Sequence, residues 1–159
     1  MTRKILPSEK LFLGLLGLIL LFMLFHDWIP LGSLNDLDAV HAYYTTGELV
    51  GVTLFNVISV LVVLLIASYF AGRRYPLWAK GWLIIHLCII LYGALRAWWI
   101  PDFFGADPET VEINQFMFGS VHSFLPKLNG ITISTLHLFF HLALLITIAL
   151  SVRIAFIRR

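Results

Sequence analysis

Six histidines in 159 residues are the side chains best suited to do chemistry. Two of them, His137 and His141, stand four apart inside the apolar run Ile131–Val152. Residues four apart share one face of a helix, so the two rings converge on a single point. Such a pair chelates a transition metal ion such as zinc, iron or copper if further ligands join it. His26 and Asp27 are the first candidates to complete that set, followed by His122 and Glu48. The residues between the pair are Leu-Phe-Phe, so the His-Glu-x-x-His protease motif with its glutamate base is absent. The same imidazoles suit two plainer tasks: hydrogen bonding between helices, and holding a substrate or a proton. Haem held by two histidines comes second to a metal ion, because only His86 can oppose His137 or His141 from another apolar run.

Other polar residues fall at similar places in their own apolar runs. Glu48, Val52, Asn56 and Ser59 make one stripe at helical spacing, and Tyr92 and Arg96 form an i,i+4 pair followed by Trp99. An ionisable group at a helix centre in lipid costs roughly 2.5–3.5 kcal/mol, so such groups need partners. Arg96 suits an anionic headgroup or carboxylate, or a salt bridge to Glu48, Asp102 or a loop acid. Ser120 and Ser123 flank His122 without a Gly-x-Ser-x-Gly elbow, so a serine nucleophile is not expected. Together these groups predict an outward-opening polar pocket, with Glu48, Asn56, Tyr92, Arg96 and His122 contacting a ligand beside the histidine cluster.

The elements that must position them are helices in a membrane. The chain is 60% apolar and only 13% charged, with a mean hydropathy of +0.91, too little charge to cover a water-soluble surface. Apolar runs at about 11–29, 49–71, 78–100 and 131–152 approach or exceed the roughly 20 residues that cross about 30 Å of hydrocarbon. Backbone groups in lipid must pair within their own segment, so each run should be a helix. The expected fold is an all-α transmembrane four-helix bundle, a single domain over 1–159. The first run ends in His-Asp-Trp-Ile-Pro with no Ala-x-Ala cleavage pattern, which favours an uncleaved anchor. One cysteine, Cys88, excludes thiol–disulfide chemistry that needs a cysteine pair.

Basic residues set the orientation. Nine of the eleven lysines and arginines flank the first run, the 72–80 connection or the last run, which the positive-inside rule makes cytoplasmic. Both termini are therefore expected inside. Trp28, Trp98 and Trp99 fall at the expected outer interface, and Tyr75, Trp78 and Trp82 at the inner one, as an aromatic belt without a ligand role. Ser33 with Asp36 predicts the start of a short helix in the first outer connection. Asp107-Pro108 and Gly119 bracket another in the second, and Asn129-Gly130 predicts a turn. The basic clusters are topology signals, and nothing points to nucleic acid. Gly47 and Gly51 leave room for close helix packing, as in a homo-oligomer or beside another membrane subunit. Four spans are few for a transporter acting alone.

The strings "HDWIPLGSLNDL", "RAWWIPDFFG" and "MFGSVHSFLPKLNGITISTLH" resemble a group of small bacterial integral membrane proteins of unknown function. The resemblance covers most of the chain. It implies a bacterial inner (cytoplasmic) membrane and supplies no activity. The expected function is a membrane protein whose histidine-rich pocket binds a metal ion or a small or lipidic ligand. A non-catalytic accessory or scaffold subunit is the alternative, and a haem or quinone redox subunit the third.

Overall fold

The computed structural model describes residues 3–156. Among them the chain is all-helical, with four helices long and apolar enough to cross a membrane: α1 (Pro7–Phe25), α3 (Thr46–Phe70), α4 (Leu77–Phe104) and α6 (Thr135–Phe156). Two short helices, α2 (Leu37–Tyr43) and α5 (Pro108–Phe118), lie in the long connections. α1 packs against α3 and α6, and α6 packs against α4, whereas α3 and α4 touch sparingly. The order around the bundle is thus α3–α1–α6–α4, with its loosest seam between α3 and α4. Phe12, Leu16 and Ile19 of α1, Val60 and Val63 of α3, Leu83 and Leu87 of α4 and Leu144 of α6 form the core. Thr147 and Ser151 are buried in the same bundle and donate to Ala143 O and Ile148 O of their own helix at 2.7 Å, so no hydroxyl is left unpaired there.

One end of the bundle carries the short connection and both described chain ends. Arg3 N donates to Gly72 O at 2.8 Å, and Lys80 Nζ donates to Ala155 O at 2.7 Å. The Arg3 guanidinium meets the fully buried Glu9 carboxylate at 2.7 Å. The other end carries the two long connections. Asp36 rather than Ser33 caps the first short helix: its carboxylate accepts from Ala39 N at 3.0 Å and Ser33 lies in a turn of 3₁₀ helix. Ser120 Oγ also donates to Asp36, at 2.7 Å, which ties the two connections together. The Ser120 and Ala39 hydrogen bonds hold this carboxyl below its ordinary value. Asp107 and Gly119 bound α5 as the sequence predicts. Asn129 (φ 47°) and Gly130 (φ 80°) make the expected turn, closed by a bridge between Leu128 and Ile131. A Cβ on Gly130 would stand 2.8 Å from Val111 Cγ1, so this turn needs glycine for space as well as for φ.

Two of the spans depart from their sequence-derived limits, each for a physical reason. Residues 131–134 do not open the last helix. They run extended and buried, because long-range partners take their backbone groups: Thr132 N donates to Asn114 Oδ1 at 2.7 Å and Ile133 O accepts from Ser123 Oγ at 2.7 Å. α6 starts only at Thr135, so His141 lies six residues, about 9 Å of helical rise, beyond the helix start and shallower than the apolar run implies. The third span continues past Ile100 through Pro101 to Phe104. Proline has no N–H, and its ring crowds the carbonyl four residues back. The helix absorbs this by widening into a π-helical stretch, Leu95–Trp99, in which Ile100 N donates to Leu95 O.

Candidate functional site: a histidine-lined cavity at the loose seam

The π-helical stretch points two consecutive tryptophans at the two histidines of α6. Trp98 lies over His137 with ring centroids 4.2 Å apart. Trp99 Nε1 donates to His141 Nδ1 at 3.1 Å. The expectation of a plain aromatic belt is corrected here, and Trp28 departs from it too, donating to Thr53 Oγ1 at 2.9 Å. In a regular helix, neighbouring residues diverge by about 100°, and the wider π turn changes that phase.

His141 is 2% exposed. An indole N–H only donates, so His141 Nδ1 must accept and the imidazole proton sits on Nε2. That Nε2 is buried and has no hydrogen-bond partner. An unsatisfied buried donor costs about 1–3 kcal/mol. His141 lines a cavity of about 590 Å³, shared by α1, α3, α4 and α6, a size typical of small-ligand sites. The other polar groups lining it are His26, Asn56, Ser59, His86, Tyr92 and His137. Phe55, Ile89 and Tyr92 line the cavity and are also exposed. Its mouth therefore opens sideways between α3 and α4, on the flank that apolar helices present to lipid, and not toward the loop end.

The neighbouring groups differ in how far the protein already satisfies them. His137 Nδ1 lies 2.8 Å from Ser134 Oγ, which also caps α6 by accepting from His137 N at 3.3 Å. His86 Nε2 is 2.8 Å from Ser59 Oγ, a tie between α4 and α3. His26 Nδ1 donates to Phe22 O at 2.9 Å, and its Nε2 lies 3.1 Å from Asp27 Oδ2. The carbonyl only accepts, so Nδ1 carries a proton. The Asn56 amide and the Tyr92 hydroxyl belong to residues that line the cavity and make no hydrogen bond among the described residues.

Of the nine residues singled out from sequence, the structure thus brings Asn56, Tyr92, His26, His137 and His141 to one cavity. Asp27 borders it through His26. The remaining three lie elsewhere. Glu48 closes a reciprocal cap with Thr45, accepting from its N–H at 2.9 Å and its hydroxyl at 2.7 Å. His122 is exposed, with Nδ1 2.7 Å from Thr135 Oγ1 and its backbone tied to Ser33 and Thr135. Arg96 projects from the outer flank of α4, exposed. Sequence reasoning missed Trp98, Trp99 and Ser59 as parts of the site. The available signal for the tryptophans was Pro101 just past the end of an apolar run, which marks a local bulge.

The donor set bears on which ligand fits. Among the described residues no three His, Cys, Asp or Glu side chains are grouped to hold a metal ion. For zinc, iron, copper or a haem iron to bind His141 Nε2, that nitrogen would have to lose its proton while Nδ1 still accepted from Trp99. A neutral imidazole with one proton cannot meet both demands. What the arrangement offers is a buried hydrogen-bond donor beside an apolar chamber, suited to an acceptor oxygen. Set against protein-family models, curated proteins and solved structures, the chain matches none.

Proposed function

We propose that this chain binds a lipidic ligand from within the bilayer, in the cavity between α3 and α4, with an acceptor oxygen of the ligand on His141 Nε2–H. The single observation behind this reading is that buried, unpartnered N–H on a residue that lines about 590 Å³ of space with a lateral, apolar mouth. A ligand carbonyl there removes the desolvation penalty and adds a hydrogen bond. The free Asn56 amide and Tyr92 hydroxyl supply further contacts. Trp98 and His137 form an aromatic wall against which an apolar body packs. Native mass spectrometry of protein released from lipid nanodiscs tests the reading. Wild type is expected to retain one lipid, and His141→Phe, which removes the donor and fills the space, to lose it. Equal retention by both would exclude the cavity as the site.

The setting is part of the proposal. Arg3, Lys4, Lys10, Arg73, Arg74, Lys80 and Arg153 lie toward the end that holds the short connection, and the positive-inside rule supports reading that end as cytoplasmic in a bacterial cell, with the cavity in the outer half of the inner membrane. A cysteine introduced at Asn129 should therefore react with a membrane-impermeant thiol reagent in intact spheroplasts. Reaction only after lysis would invert the topology.

A further inference from the structure

We infer that the ligand is an anionic glycerophospholipid whose phosphate is held by Arg96 and Tyr92 at the rim of the cavity. The inference rests on the cavity reading above and names its ligand class. α4 has 28 residues, about 42 Å of rise, against a hydrocarbon core of about 30 Å. Its ends must project from the core, and Arg96, eight residues before Phe104, falls just inside the outer boundary. From there an arginine stem reaches the phosphate layer with its guanidinium. That charge has no carboxylate partner: the only ion pairs among the described residues are Arg3–Glu9 and His26–Asp27. No loop acid pairs with Arg96 among the described residues, and the two acids that sequence named for it are already engaged. Glu48 caps α3, and the buried Asp102 accepts from Leu128 N at 3.3 Å.

An unpaired guanidinium on a lipid-facing flank takes its counter-ion from the lipid, and its planar fork matches two phosphate oxygens. Tyr92 precedes Arg96 by four residues on α4, and its exposed ring lines the cavity and carries a hydroxyl with no hydrogen bond among the described residues. A phosphate on this pair leaves the glycerol ester carbonyls directed into the mouth, toward Asn56 and His141. The acyl chains lie along the exposed apolar flanks of Phe55 and Ile89. The placement thus meets both requirements of the site, an anion at the rim and neutral acceptor oxygens inside it.

Nanodiscs of equal phosphatidylglycerol and phosphatidylcholine, followed by native mass spectrometry, test this. Wild type should retain phosphatidylglycerol in preference by about fivefold, the worth of one basic side chain at an anionic surface. Arg96→Gln should retain a lipid without preference, and Arg96→Lys should restore most of the preference. Inorganic phosphate added at millimolar level should displace neither lipid. An undiminished preference in Arg96→Gln would overturn the assignment of the phosphate and leave the cavity intact. Displacement by inorganic phosphate would also overturn it, in favour of a free-anion site. Unchanged lipid retention in His141→Phe would remove the cavity itself, and this inference with it.

Discussion

His141 and Trp99 carry most of the chemical information in this molecule, because together they settle where one proton lies. His86 and His137 each find a serine for one ring nitrogen, a hydroxyl that can donate or accept. His141 finds a tryptophan, which can only give. Its second nitrogen is thereby committed as a donor that the protein leaves unused. Nitrogen-15 spectra of labelled protein should show His141 as the Nε2–H tautomer. Trp99→Phe should scatter the proton over both nitrogens and lower stability by about 1 kcal/mol, the worth of one hydrogen bond. A pure Nδ1–H signal in wild type would contradict the assignment. Sequence alone reached the histidines and their shared face but not this tautomer, since the donor comes from 42 residues away. Glu48 and His122 show the reverse case: polar residues within reach of the same end of the bundle, which local capping and loop bonds use first.

At the level of elements, the π-helical stretch of α4 makes the site. Apolar content predicts that a helix crosses here, and Pro101 predicts a disturbance. Neither states that the helix survives the proline by widening upstream. Pro101→Ala restores an N–H for the Ala97 carbonyl and removes the ring that crowds it. The helix should then close into regular α geometry and turn Trp98 and Trp99 off the histidines. The expected result is ligand retention lowered about tenfold, ~1.4 kcal/mol of binding, with thermal stability equal to wild type or higher. Retention at the wild-type level would mean that the bulge does not position the site. The extended entry to α6 escaped sequence reading for a related reason. Residues 131–134 run into the helix with no Gly or Pro between to break it, and Asn114 and Ser123, distant in the chain, hold them outside it. Asp107-Pro108, Gly119 and Asn129-Gly130 were legible because their determinants are local.

Across the whole molecule, four helices share three good interfaces and one poor one. α1 and α6 form the centre, α3 and α4 flank them, and the seam that α3 and α4 fail to close is where the polar groups collect. The number of spans and the polar stripes on α3 and α6 were readable from spacing. The sideways opening was not, because it depends on which helix pairs lie apart, and periodicity carries no record of that. A bundle built in this way opens its chamber on the apolar flank of its helices, and the proposed lipidic ligand rests on that opening.

The most direct measurement places the protein, labelled with nitrogen-15 at histidine, in bilayers whose phospholipids carry carbon-13 at the ester carbonyls. Solid-state nuclear magnetic resonance then reads the dipolar coupling between the two labels. A coupling between His141 Nε2 and a lipid carbonyl, at the distance of a hydrogen bond and lost in Trp99→Phe, is the predicted result. A His141 Nε2 that couples only to water or to protein carbonyls would contradict the account.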